Sequence, residues 1–551
     1  MRVRAWLLLL LLPACVAPAR SAADYRHKAV DTAEAVFSSV QTGSLVARLG
    51  PERAFPSFLS VALADVERAA ASARAVFLSI QPPDARSDEV RAQLSVLLDR
   101  SQAAISSARI AARRQDFDAL RRYADELSSA AGLARPIHRS VRMKKFFEIF
   151  LGILTAFGGF VDIGDLVANA ETGARFGMSL AWVVVIGVIG IVLFAEMSGR
   201  VAAMSGRPVF DVIRERLGAR MALTDLVASF LINFLTLAAE IGGLALVVQL
   251  ATDLNYLLWV PLAAAALWIV IWKLSFPLME KIFGITGLLL VVTAVALWQL
   301  DPDWGRLLSD AAHPGPPATE SWPTYLFFAV ALLGAAMTPY EVFFFSSGAV
   351  EEHWTRRDLM VNRANVYLGF PLGGLLSLAI MAGAAVVLKP RGIDADHLSQ
   401  MALPVAVGLG KLGLAMLYVG MFAAIFSAAL ETALSAGYTI AQYFGWQWGK
   451  FVRPHEAARF HLVVIVSIIA SVGLVLTTID PIKVTEYSIV LSAAALPLTY
   501  FPILVVANDP TYVGEHVNSK VTNAVGFAYL VLLLVVSIAT IPLMIWTRAG
   551  A

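Results

Sequence analysis

Hydrophobic and polar positions divide the chain near residue 146. Before that point, apolar residues recur at helical spacing between charged ones, as in Val90, Leu94, Leu97 and Leu98. Gly50-Pro51 and Pro82-Pro83 interrupt the pattern, so residues 24–135 are predicted to form two to four amphipathic helices. From Phe146 onward eleven apolar runs follow, at about 147–169, 179–199, 222–251, 256–272, 282–300, 322–347, 366–388, 411–444, 460–478, 484–507 and 523–546. They are called segments 1 to 11 below. A membrane-crossing helix needs about 20 apolar residues. Only helices satisfy their own backbone groups across so many lipid-facing runs. The pattern predicts an all-α, polytopic membrane protein with an N-terminal soluble helical domain. The expected boundaries are a signal-like segment at 1–23, a soluble helical domain at 24–145 and an eleven-helix core at 146–551.

Composition sharpens this division. The chain has 551 residues, of which 58% are hydrophobic and 15% charged, and its mean hydropathy is +0.70. Soluble domains carry about 25% charged residues. A net charge of +2 gives no reason to expect a nucleic-acid partner, and the single cysteine, Cys15, excludes a disulfide framework or a cysteine metal site. No P-loop or Rossmann signature is present, which argues against an ATP-driven pump or a nucleotide-dependent enzyme. Arg2 and Arg4, the apolar run Ala5–Leu12 and the small residues up to Ala23 read as an export signal, with a lipobox-like Leu12-Pro13-Ala14-Cys15. The basic residues of the core fall mainly in alternate loops: 14 of its 21 Lys/Arg lie between segments 2–3, 4–5, 6–7, 8–9 and 10–11. The positive-inside rule places those loops in the cytoplasm of a bacterial inner membrane. Arg135, Arg139, Arg142, Lys144 and Lys145 point the same way, whereas the export signal would put residues 24–135 in the periplasm. The arginines of that block, Arg109 and Arg113 among them, suit a solvated helix face or an unidentified anionic partner.

Acids inside the apolar runs are the chemical signal. Asp162, Asp165, Glu196, Glu240, Glu341 and Glu431 stand out, and no Lys or Arg lies deep in a run to neutralise them. An ionised group at the bilayer centre costs at least about 2.5–3.5 kcal/mol on insertion scales. A single such acid, and Glu196 near a segment end above all, is explained by a hydrogen bond to a neighbouring helix. Six of them favour a cation or proton route. Two acidic stretches coincide with helix-breaking residues: Gly158-Gly159-Phe160-Val161-Asp162-Ile163-Gly164-Asp165 in segment 1 and Gly334-Ala335-Ala336-Met337-Thr338-Pro339-Tyr340-Glu341 in segment 6. Gly164 and Pro339 favour unwinding. An unwound turn frees carbonyl oxygens, which is tolerated where they face a cavity or ligand. Breaks at matching places in two halves point to a transporter's central site, with segments 1 and 6 opening two five-helix inverted repeats.

These motifs, with Ala239-Glu240-Ile241-Gly242 in segment 3, Ser346-Ser347 after the segment 6 break and the stretch Leu496-Pro497 through Gly514-Glu515, make the core resemble the Nramp family of divalent-metal transporters. The resemblance implies a LeuT-type 5+5 inverted repeat plus an eleventh helix. It implies a secondary carrier for which a divalent metal ion is substrate, with no cofactor and no enzymatic activity. Asp162-Ile163-Gly164-Asp165 stands where that family has Asp-Pro-Gly-Asn. The implied metal ligands are Asp162, Asp165, the Ala335 carbonyl, Thr338 in place of a methionine, and Glu341 as a third acid. A one-residue shift of the unwound turn would bring Met337 to that place instead. Carboxylate, hydroxyl and carbonyl oxygens suit Mg²⁺ or Mn²⁺ rather than soft metals, which is similar to the magnesium-transporting relatives within the wider group. For a proton pathway or outer support the resemblance implies Glu240; Glu431, which has no family counterpart, is a candidate replacement relay or extra ligand, and Tyr340 a candidate outer support. Leu237 and Phe345 replace an acid and a histidine that the family uses for proton coupling, so symport is not implied. The alternatives are a LeuT-fold symporter of an organic solute, an intramembrane aspartyl protease, disfavoured for want of a second catalytic Asp, and a metal sensor that does not transport.

Overall fold

The computed structural model describes scattered positions within residues 25–48, residues 56–127, and residues 161–550 except for five single positions. The leader, Gly50-Pro51 and the Gly158-Gly159-Phe160 stretch lie outside the described residues. The chain divides into two compact units, residues 1–147 and 148–551.

The first unit is helical, as its periodicity predicts. Helices span Pro56–Ser79, Ala85–Arg113 and residues 117–127. Pro82-Pro83 separates the first two, and Asp84 caps the second by accepting the Ser87 N–H at 2.8 Å. Leu94 and Leu98 are buried, with Val90 and Leu97 packed beside them. Arg109 pairs with Glu67, and Arg113, Arg114, Arg121 and Arg122 are exposed.

The second unit is a bundle of membrane helices. Ten candidate spans are present among the described residues: Ala181–Ser205, Ala219–Thr252, Tyr256–Lys273, Ile282–Gln299, Trp322–Glu351, Arg356–Arg391, Leu403–Phe444, Ala458–Leu476, Pro481–Val506 and Lys520–Trp546. They correspond in order to segments 2 to 11. The described half of segment 1 is the helix Ile163–Phe176. Segment 3 is the central post, packed against segments 4, 8, 9 and 10, while the described half of segment 1 packs on segments 6, 7 and 10. Apolar side chains face lipid on the outer helices: Phe527, Ile538 and Ile545 of segment 11 are 66%, 68% and 70% exposed. That exposure is intelligible only with hydrocarbon as solvent.

Several helices bend in ways the hydropathy pattern does not reveal. Segment 5 passes through a 3₁₀ stretch at Leu288–Val291, and segment 7 opens with a π-turn at Asn365–Gly369. Segment 8 begins at Leu403, eight residues before the expected 411, and kinks at Gly410, whose φ of 63° a residue with a side chain rarely adopts.

Candidate functional site

Segment 6 is two helices. The first, Trp322–Ala336, ends where Met337 leaves helical geometry, at φ −133° and ψ 55°. Thr338 is extended, and Pro339 starts the second helix, Pro339–Glu351, at its first position. Proline suits that position, because the first N–H of a helix has no partner within it. Segment 1 supplies the facing edge. Asp162 is extended and caps the helix Ile163–Phe176, its Oδ1 accepting the Asp165 N–H at 2.7 Å. The capping carboxylate thus sits at the positive end of a helix dipole. The two helix starts meet, for the Tyr340 hydroxyl donates to Asp162 Oδ2 at 3.2 Å.

A cavity of about 10 Å³, one water's worth of space, opens between these edges and segments 3 and 10. Asp162, Gly164, Thr236, Thr338, Thr485, Ser488 and Ser492 line it with Ile163, Ala239 and Ile489. Among the described residues, every polar side-chain atom on that wall is an oxygen. Thr236 and Ser488 bond each other at 2.6 Å. The Ser492 hydroxyl is buried without a hydrogen-bond partner among the described residues, and Thr338 Oγ1 completes none although the Glu341 carboxylate faces it. Gly164 is required here: a Cβ would lie 2.8 Å from Ile489 Cγ2 and 3.1 Å from Asp162 Oδ1.

The other expected residues surround this cavity at differing distances. Asp165 is directed to segment 7, accepting from Ser377 at 2.5 Å and from Asn169 at 2.8 Å. Ala335 is in the last turn of the first segment 6 helix, and Glu341 is in the first turn of the second. Glu431, on segment 8, accepts from Ser427 at 3.3 Å. Glu240 is fully buried, and neither of its carboxylate oxygens completes a hydrogen bond, although the Ile163 N–H faces it. Glu240, Glu341, Glu431 and Asp165 each lie within electrostatic reach of Asp162, and Tyr340 within reach of Asp162, Glu240, Glu341 and Glu431. No lysine or arginine is among the groups acting most strongly on any of these acids. No three of the acids and histidines among the described residues converge on a single point. The Met337 thioether packs on Gly190 of segment 2 beside Tyr529 of segment 11, and Met337 does not line the cavity. Glu196 differs from the rest, being paired with Arg200 at 3.1 Å.

Sequence reasoning passed over three features. Thr485, Ser488 and Ser492 recur at i, i+3 and i+7, so they share one face of segment 10. Glu171 of segment 1 and Glu486 of segment 10 line a second cavity with Phe327, Phe328 and Ala331. Ile489 lines both cavities. Asp225 is a fully buried acid near the start of segment 3.

Residues 152–542 match the sequence model of the family described as natural resistance-associated macrophage protein-like, Nramp. The chain belongs to the Nramp family. It is a multi-pass membrane transporter with a divalent metal ion as substrate, and it is not an enzyme. Solved structures agree on the fold, which is LeuT-type. The manganese transporter of Eremococcus coleocola, in complex with an aromatic bis-isothiourea substituted compound, has a TM-score of 0.57 at 16% identity, covering 75% of this chain and 96% of that one. Two mutants of the same transporter each match at TM-score 0.57 and 15% identity, covering 73% of this chain and 93% of theirs.

Proposed function

We propose that this Nramp chain carries a partly hydrated hard divalent cation, Mg²⁺ or Mn²⁺, by alternating access, with Asp162 as the principal ligand. The observation that supports this is the donor set of the central cavity, one carboxylate and five hydroxyls with no sulfur and no imidazole. Such oxygens suit hard ions, and Mg²⁺ in particular keeps several waters when bound. In this reading Asp162 and Thr338 meet the ion first. Asp165, the Ala335 carbonyl and Glu341 join as segments 1 and 6 rock against segment 3. Glu240, Glu431 and Tyr340 form the surrounding acidic field and the candidate proton carriers. The outer cavity of Glu171 and Glu486 is the entrance. An organic solute is disfavoured, because the cavity is far below the roughly 300 Å³ at which small-molecule pockets begin. The chain is further read as a leader at 1–23, a helical domain at 24–145 that meets a partner of its own, and a core at 146–551 in a bacterial inner membrane.

Reconstitution into liposomes with Mg²⁺, Mn²⁺ and proton reporters tests this. Mn²⁺ uptake that Mg²⁺ competes away and that Asp162→Ala abolishes is the expected result. Uptake untouched by Asp162→Ala, or Cd²⁺ strongly preferred over Mg²⁺, would overturn it.

A further inference from the structure

Segment 3 carries a polar stripe that runs away from the central cavity. Asp225, Ser229, Asn233, Thr236 and Glu240 recur at i, i+4, i+8, i+11 and i+15, one face of a helix over about 22 Å. All five are buried, at 0%, 0%, 1%, 5% and 0% exposure. Segment 10 lies against this face. Thr236 bonds Ser488 at its upper part, and at the far end Thr499 of segment 10 donates to Asp225 Oδ1 at 3.2 Å. Ser229 donates to the same oxygen at 3.1 Å. Asp225 Oδ2 has no partner among the described residues, and neither do both amide atoms of Asn233, two turns further along.

We propose that Asp225 is a second cation position, taking one positive charge, a proton or Na⁺, in the seam between segments 3 and 10. A buried carboxylate without a counter-charge is costly enough that it gains a proton or a cation. Segments 4, 8, 9 and 10 and the helix Val209–Leu217 all pack on segment 3. Among the described residues, the groups acting on Asp225 are the Ser229 and Thr499 hydroxyls, with no lysine, arginine, histidine or second acid among them. Arg220 on its own helix is exposed, and Arg216 is engaged by Asp509 at 2.5 Å. Two hydroxyl oxygens and a carboxylate form a set of hard donors. The position lies near the segment end that joins the basic loop 2–3, hence on the cytoplasmic half. Its charge state acts on the Asp225–Thr499 contact: an ionised or Na⁺-bound carboxylate holds the Thr499 hydroxyl and with it segment 10, and protonation weakens that bond.

The test uses the full chain in lipid nanodiscs and does not depend on transport. Thermal unfolding is followed against pH in Na⁺-free buffer, and against NaCl with choline chloride as control at fixed alkaline pH. Wild type is expected to respond in one of the two arms, which identifies the occupant. Asp225→Asn should flatten that response, whereas Asp162→Ala should keep it. Thr499→Val should shift the same response about tenfold, the cost of one hydrogen bond to a charged group: to weaker apparent affinity in the NaCl arm, or to tighter proton affinity in the pH arm, because a donor to the carboxylate holds off the proton. Superimposable profiles for wild type and Asp225→Asn in both arms would overturn the proposal. Should Asp225→Asn fail to fold, unshifted profiles for Thr499→Val would overturn it equally. A chain that responds through Asp225 but moves no divalent metal keeps this proposal and removes the hard-cation reading above.

Discussion

The Tyr340 hydroxyl reaches across from segment 6 to hold Asp162 Oδ2 of segment 1 at 3.2 Å. One hydrogen bond therefore ties the start of the helix Ile163–Phe176 to the start of the second helix of segment 6. A bond to a charged acceptor is worth about 1.5–3 kcal/mol when its loss strands the partner. Tyr340→Phe keeps the buried ring and removes the hydroxyl that makes this link. Uptake at saturating Mn²⁺ should fall about tenfold in proteoliposomes, with the melting temperature lowered yet still above the assay temperature. Unchanged uptake would mean that the link has no part in the cycle.

Thr338 lines the central cavity and Met337 does not. Thr338→Met would place a thioether among oxygens and favour softer ions. The ratio of Cd²⁺ to Mg²⁺ initial rates should rise about tenfold or more. A ratio equal to wild type would show that position 338 does not meet the ion.

Ile489 is wedged at the outer side of the site. A Cβ on Gly334 would strike the Ile489 carbonyl, so the first helix of segment 6 rests directly on this residue. Ile489→Ala should let divalent ions leak between the two cavities, seen as faster and less saturable Mn²⁺ flux. Gly334→Val should do the opposite by jamming segment 6 against segment 10, with an overpacking cost of about 1–3 kcal/mol. Flux unaltered by either change would place the barrier elsewhere.

Asp509 lies in the loop after segment 10, outside the membrane. Its Oδ1 accepts the Thr511 N–H at 2.9 Å, and Arg216 donates to Oδ2. The Thr511 backbone and side-chain bonds, then Arg216, hold its carboxyl below the usual carboxylate range. A depressed folded value gives stability that is present above the unfolded value, about 3.9, and is lost as pH falls through the folded one. Asp509→Asn should therefore lower the melting temperature at neutral pH and leave it unchanged in strong acid. An equal drop at both pH values would point to lost packing instead.

The apolar runs made the architecture readable, because lipid imposes length and internal hydrogen bonding on every segment. The segment 6 break was equally plain, since Pro339 and two small residues stand beside Glu341. Bends at Leu288–Val291 and Gly410 were hidden, because they arise where a helix conforms to its neighbours, and nothing in the local apolar pattern marks them. The hydroxyls of segment 10 escaped notice for a different reason. Serine and threonine satisfy themselves on their own helix, as Thr485 does with the Pro481 carbonyl, so sequence does not tell a lining hydroxyl from an idle one. Asp225 was overlooked because it stands one turn inside a segment end, where an acid ordinarily reaches water. Only packing shows that it does not.

Because one isoleucine forms part of both chambers, the partition between them is at that point a single side chain thick. About 2.3 kcal/mol of work per charge accompanies each 100 mV across the bilayer, and a doubly charged passenger takes up twice that over the whole crossing. Polarising the liposomes should consequently change the rate of uptake, and trimming the partition with Ile489→Ala should change how steeply that rate follows voltage.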